Sequence, residues 1–379
     1  TTENVYLVGQ GDPKFVSESL WKLVDDARTR GLRKVTGTLI VDDTYFTQRQ
    51  MAPGFDDKDQ DSAYRAATGG MSLNFNSFIA EFRPAKKVGD PALVKLRPDS
   101  GFIKITNRSR TVPKGRERLR ASAKPWKNRT ELVLEGRIPL KHRGIVIRKR
   151  LDNPSLNAGY AAGHFLRRAG IEFSGDVRRG KVPEGTKTLA RVSSPSLSTI
   201  IADVNKLSNN FMAEHLVRTL GVKEGTEGSW KAGTRVVTNF LNAKLKISGF
   251  KYVNGSGLFG DTQFSARDLV KLLRYMHRNL ARYPEFFSSL AISAADGTLR
   301  RRMKRLNRAQ VRAKTGTLDG VVCLSGYLIL DDNETYIFSL LMNDLPGRPW
   351  SIWQIQDQII ETVTRHLLSE PSQKDVPEK

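Results

Sequence analysis

Between Val311 and Asp344 the chain reads as a hairpin and a third strand, and this block constrains the fold more than any other. "VRAKTGTLDGVVCLSGYLIL" alternates apolar and polar residues on either side of Asp319-Gly320, and "TYIFSLLMND" repeats the alternation. A period of two marks half-buried strands, and an Asp-Gly pair is a strong hairpin signal. The segments before and after it are helical in period. "SPSLSTIIADVNKLSNNFMAEHLVRTLG" reads as two helices with a break at 207–210, the second closed by Gly221. "GSWKAGTRVVTNFLNAKL", "SARDLVKLLRYMHRN" and "WSIWQIQDQIIETVTRHLLSE" add further helices, with Ser265 and Asp268 forming a capping box and "PSQKDVPEK" fraying at the end. Helices on an antiparallel sheet are therefore expected for the second half.

The first 190 residues have another texture. A strand near Val5 to Val8 leads into an amphipathic helix, "SESLWKLVDDARTRG", with Leu20, Leu23, Val24 and Ala27 on one face and Gly31 as its stop. Short strands follow in "KVTGTLIVDD", "NSFIAEFRPA", "GFIKITNRS", "TELVLEGRIPL" and "GIVIRKRL", and "NPSLNAGYAAGHFLRRAGI" is one more helix. This pattern predicts β-rich modules with few helices.

Several residues carry chemistry. Lys314-Thr315-Gly316-Thr317 would put a cation, two hydroxyls and a side-chain-free position along one strand edge. Hydroxyls can donate to a carboxylate, and a glycine lets another backbone lie close. The bland alternative is an ordinary lysine on a hairpin arm. Ser208-Asn209-Asn210 sits in a helix break, where a serine could relay a proton and an asparagine amide could bind a substrate amide. Helix capping explains the same residues, and Ser-x-Asn recurs at Ser72 and Ser155. Ser-x-x-Lys, which on a helix could pair a nucleophile with its base, occurs at Ser19/Lys22 and Ser248/Lys251. The first lies on an otherwise plain helix and the second in a turn, so both read as decoys. His142, His164, His215, His277 and His366 lack metal-ligand spacing and read as structural or solvated, and no metal or other cofactor is expected. Cys323 reads as a small buried hydrophobe.

Charge adds a further constraint. The chain holds 62 Lys and Arg against 39 Asp and Glu, a formal charge of +23, concentrated in residues 104–150 and 299–308. A basic surface draws nucleic acid, anionic lipid or an acidic envelope polymer, though solubility alone also accounts for it. No zinc finger, RNA-binding signature or helix-turn-helix is present, so nucleic acid is not the expected partner. No apolar run is long enough for a transmembrane segment. "TTENVYLVGQGDP" lacks the charged and apolar regions of a signal peptide, so none is expected in this chain.

In combination, the motifs resemble the D-alanyl-D-alanine carboxypeptidase/endopeptidases among the low-molecular-mass class C penicillin-binding proteins. "YLVGQGDP", "SPSLSTIIADVNKLSNNFMAEHLVRTLG", "NGSGLFGDTQFSARDLVKLL", "DGTLRRRM" and "VRAKTGTLDGVVCLSGYL" look like that family's landmarks in its order. The resemblance implies an α+β fold: a transpeptidase/β-lactamase-like domain, here about 191–379, with inserted β-rich accessory modules, here about 1–190. It implies a periplasmic or other extracytoplasmic place, with peptidoglycan stem peptides and β-lactams as partners and possible contact with anionic envelope polymers. It also implies a serine acyl-enzyme mechanism. Ser208 would pass a proton, Asn210 would hold the substrate amide and Lys314 would polarise Ser208. Thr315 and Thr317 would grip the terminal carboxylate beside Gly316. The family's Ser-x-x-Lys lies upstream of "YLVGQGDP", so the nucleophile is expected outside this chain, leaving the chain inactive alone. The alternative is a non-catalytic peptidoglycan- or polyanion-binding protein.

Overall fold

The computed structural model describes residues 1–55, 61–259, 261–331, 334–346 and 349–369. They form two compact units. The first comprises Thr1–Pro195, Asn210–Val236 and Val253–Gly260; the second comprises Ser196–Asn209, Val237–Tyr252 and Asp261–Lys379. The chain thus passes from the first unit to the second near the expected limit of 190 and returns twice.

The first unit begins with a parallel sheet rather than a meander. Strand Leu39–Asp42 lies between Val5–Val8 and Val177–Arg179, parallel to both. Parallel neighbours need crossovers, and helices Ser17–Thr29 and Pro154–Arg168 lie along them. All of Leu39–Asp42 is buried, as a central parallel strand requires. The small residues of the second helix have a reason: a Cβ on Gly159 would stand 2.5 Å from Val177 and 2.6 Å from Val41. Leu20, Val24, Leu39, Val41 and Leu166 fill the core between sheet and helices. "KVTGTLIVDD" is not one strand but two, Lys34–Val35 and Leu39–Asp42, interrupted where Gly37 packs on the Glu3 carbonyl.

Beside the short parallel pair of Lys34–Val35 with Glu172–Phe173, the inserted region holds two more three-stranded sheets. Ser77–Arg83 is flanked antiparallel by Leu93–Arg97 and Ile145–Arg150. Arg129–Pro139 is central in the other, with Ile103–Val112 parallel and Arg118–Trp126 antiparallel to it. Phe78, Phe82, Phe102, Leu132, Leu134 and Ile138 form their shared core. Helix Asn210–Glu224 also belongs to this unit. It runs past Gly221, which does not close it. That glycine is buried because a Cβ would lie 2.5 Å from the Glu227 carbonyl oxygen.

The second unit holds the expected antiparallel sheet, in the order Ala291–Ile292, Ala309–Leu318, Val321–Leu330, Thr335–Met342. Asp319-Gly320 makes the hairpin turn, with Gly320 at φ 71°. Val311, Ala313, Leu324 and Leu328 pack with Ile360 of helix Pro349–Ser369. On another cluster, Tyr327 packs with Leu273 of helix Ala266–Arg278 and with Leu290, its hydroxyl donating to the Leu273 carbonyl at 2.7 Å. The Ser265–Asp268 capping box is present, and Leu197–Leu207 supplies a further helix. The expected fraying at 371–379 lies outside the described residues. The α+β class is as expected, except that the inserted region opens with a parallel α/β layer.

Candidate active site

Ser208 ends helix Leu197–Leu207 in a left-handed conformation, φ 53° and ψ 51°, with its N–H on the Val204 carbonyl. A non-glycine residue there carries strain on the order of 1 kcal/mol or more. Neighbouring contacts hold it in place. Asn205 Nδ2 donates to Ser289 Oγ at 2.7 Å, and Lys206 is ion-paired to Asp296. Asp296 Oδ1 also accepts from the Ile292 N–H at 2.8 Å. Gly297, at φ 54°, lies against the Lys206 carbonyl, where a Cβ would come within 2.8 Å. The "DGTL" turn is therefore a brace for the serine-bearing helix end.

Lys314 meets that serine. Its Nζ donates to Ser208 Oγ at 2.8 Å and to the Thr315 carbonyl at 2.6 Å. Burial pulls its pKa down to about 8, because an ammonium shielded from water loses hydration. Thr315 Oγ1 donates to Thr298 Oγ1 at 2.9 Å. Trp353 Nε1 donates to Thr317 Oγ1 at 3.3 Å, which leaves the threonine proton for another acceptor. The strand Ala291–Ile292 pairs only with Arg312 and Ala313. Among the described residues, the edge from Lys314 to Leu318 on that side has no strand partner. Gly316 is not required by the fold itself, since a Cβ would make only a 3.4 Å contact with Cys323. Its lack of a side chain leaves that part of the strand clear for another backbone.

Asn210 belongs to the first unit, where its Nδ2 donates to the Tyr64 carbonyl at 3.2 Å. Its helix is anchored by polar residues buried on one face. The Glu214 carboxylate, fully buried, accepts from Trp230 Nε1 at 2.7 Å and from the N–H groups of Gly255 and Ser256 at 2.9 Å. These contacts fix the "NGSG" loop, whose Gly255 approaches the Ala213 carbonyl too closely for any side chain. Arg218, also fully buried, donates to the carbonyls of Gly228, Thr68 and Thr47 at 3.0, 2.9 and 2.7 Å. His215 sits between the carbonyls of Phe211 and Gly69, and burial pushes its pKa down to about 3. A neutral, enclosed imidazole matches the structural role expected for it.

Neither Ser-x-x-Lys pair offers a free amine. Lys22 is ion-paired to Asp26 at 2.6 Å and Lys251 to Asp261 at 3.0 Å, so each amine is engaged by a carboxylate rather than by its serine. Sequence reasoning overlooked Lys206, Asp296, Thr298 and Trp353 as companions of the site. The landmark stretches "SPSLSTIIADVNKLSNNFMAEHLVRTLG" and "DGTLRRRM" contain the first three of them but assigned them no role.

The chain resembles known proteins along most of its length. The family model described as D-Ala-D-Ala carboxypeptidase 3 (S13) matches residues 1–365. The D-alanyl-D-alanine carboxypeptidase of an Actinomadura species is 30% identical over 362 residues, 91% of this chain and 66% of that protein. D-alanyl-D-alanine carboxypeptidase DacB of Haemophilus influenzae is 22% identical over 339 residues, 88% of this chain and 70% of that protein. The chain thus spans about two thirds of the length of these curated relatives. Penicillin binding protein 4 (dacB) from Haemophilus influenzae has the same fold, with a TM-score of 0.81 at 21% identity, covering 95% of this chain and 82% of that one. A structure of that protein complexed with a novel β-lactam gives a TM-score of 0.74 at 20% identity, covering 95% and 81%. With a family model running through both units, this chain belongs to the D-Ala-D-Ala carboxypeptidase 3 (S13) family.

Proposed function

We propose that this chain carries the proton-relay and carboxylate-binding parts of a serine D-Ala-D-Ala carboxypeptidase/endopeptidase that acts on peptidoglycan peptides outside the cytoplasm. The observation that carries the reading is the 2.8 Å contact from Lys314 Nζ to Ser208 Oγ beside an unpartnered strand edge. A cation on that hydroxyl makes Ser208 a better proton donor, and the edge can pair with an extended peptide.

In this reading a serine supplied by neither in-chain Ser-x-x-Lys pair attacks the carbonyl before a terminal D-alanine. The peptide C–N bond breaks, and the departing amine takes a proton through Ser208. Asn210 holds the substrate amide, while the hydroxyls of Thr315 and Thr317 receive the terminal carboxylate. The backbone just beyond Gly316 donates to the oxyanion, a role worth about 10²-fold or more in rate. Water then hydrolyses the ester. A β-lactam acylates the same serine, and the β-lactam complex of the Haemophilus influenzae relative supports this.

Fluorescent penicillin tests the proposal on the product of the whole coding sequence. Covalent labelling is expected, slowed about 10²–10⁴-fold by Ser208→Ala, and residues 1–379 alone are expected not to label. Absence of labelling in the whole product, with retained binding to peptidoglycan, would replace the enzyme with a non-catalytic binding protein.

A further inference from the structure

The basic region 104–150 takes no part in the site above, and its sheet shows how the charge is arranged. The registers of Ile103–Val112, Arg129–Pro139 and Arg118–Trp126 place side chains in rows across three strands. One row is Lys104, Glu131, Lys124; the next but one is Arg108, Glu135, Arg120. In each, a central carboxylate stands between two cations. Glu131 is bonded to Lys104 at 3.1 Å and Lys124 at 3.4 Å, and Glu135 to Arg108 at 3.4 Å. Between these rows lie Thr106, Val133 and Ser122.

The ladder breaks at its last row, which is Arg110, Arg137, Arg118. Arg137 stands where the pattern would put a carboxylate. All three are exposed, and among the described residues none is in an ion pair. Like charges directly opposite one another destabilise a sheet. The adjoining turns add Lys114, Arg116, Lys141 and Arg143, all exposed, against Glu117. A solvated cationic face accounts for scattered lysines. It does not account for a carboxylate position taken by arginine in a ladder whose other charged rows alternate in sign.

We propose that the row Arg110, Arg137, Arg118 is a binding site for a soluble polymer of repeated phosphate groups, whose anion occupies the place of the missing carboxylate. Guanidinium forks pair with phosphate bidentately, which favours arginine over lysine at such a row. Strands about 4.8 Å apart make the row about 10 Å wide, which suits a single flexible strand of polymer. Val133 and Trp126, apolar residues of this face, are half-buried and lie in other rows than the arginines, so the arginine row itself offers a bilayer no apolar anchor. The site is independent of the active-site reading.

The test is titration of linear polyphosphate against the chain, with charge-matched variants. Arg137→Glu completes the ladder, so its melting temperature should equal or exceed that of the unaltered protein while binding weakens at least tenfold and the salt dependence flattens. Lys304→Glu, an equal charge change at an exposed residue of the other basic segment, should weaken binding by less than about threefold. Arg137→Gln beside Lys304→Gln carries the same comparison should Arg137→Glu fold poorly. Equal losses in the Arg137 and Lys304 variants would overturn the site in favour of bulk charge, and absence of polyphosphate binding would overturn it outright. Tighter binding to duplex DNA, or binding only to phosphatidylglycerol vesicles, would overturn the assignment to a single-stranded soluble polymer.

Discussion

Replacing Lys314 by methionine should raise the stability of residues 1–379 and, under the proposed function, cut the penicillin acylation that Ser208 serves at least about 10²-fold. The two effects have one cause. Burial holds the Lys314 ammonium at a pKa of about 8, below the usual 10.5, so the folded state bears an uncompensated cost for the charge at neutral pH. Between pH 8 and 10.5 the unfolded chain binds more protons than the folded one, so this residue makes stability rise with pH across that window. The variant should gain about 1–3 kcal/mol at pH 7, after allowance for partial exposure, and should lose that slope. Function runs the other way. Ser208 keeps its cationic partner only below about pH 8, so acylation by the whole gene product should decline as pH passes that value. Lys314→Arg should retain charge and carry the decline to higher pH. Melting curves from pH 6 to 11, beside acylation rates, measure both. A less stable methionine variant would show that the charge is well compensated, contrary to this account.

Arg218→Ala should be the most damaging single change to the first unit, at about 3–5 kcal/mol. The guanidinium sits between the rings of Phe46 and Trp230, each 4.4 Å from it. Its donors serve the carbonyls of Thr47, Thr68 and Gly228, which come from three separate loops. Alanine would take the side-chain donor from the Thr47 and Thr68 carbonyls, leave that of Gly228 with only the Thr47 N–H at 3.2 Å and hydroxyl at 3.4 Å, and open a space between two rings. Arg218→Met would refill the volume but not the hydrogen bonds, and should recover less than half the loss. Arg218→Lys would restore a charge with a single point of contact and should also fall short. Urea denaturation of the three variants separates packing from hydrogen bonding. A cost below about 1 kcal/mol for alanine would mean that the loops do not depend on this residue.

The legible parts of the fold were those with an uninterrupted period and a clear stop. The hairpin around Asp319-Gly320 and the capped helix Ala266–Arg278 both have them. Strand Arg118–Trp126 was missed although Arg118 to Lys124 alternate polar and apolar: past Leu119 its inward residues are only alanines, Pro125 lies within it and none of its residues is buried. Gly221 illustrates an error of another kind. A glycine near a helix end looks like a stop, yet here it is needed where the chain returns against the helix.

In the sequence, Ser208, Asn210, Lys314 and the two threonines became one set only through the resemblance of the ordered motifs to a known family, since capping or an ordinary strand lysine explains each motif taken singly. Whether Lys314 reaches Ser208 was another matter, because 106 residues separate them and only packing of the helix end against the sheet brings them to 2.8 Å. Tertiary structure also decided the fate of Glu214 and Arg218. One turn apart on a helix, their spacing would equally suit an exposed ion pair, but each is fully buried and bonded to distant segments of the chain. Periodicity records which side chains can share a face, while burial depends on what arrives from elsewhere in the chain to cover it.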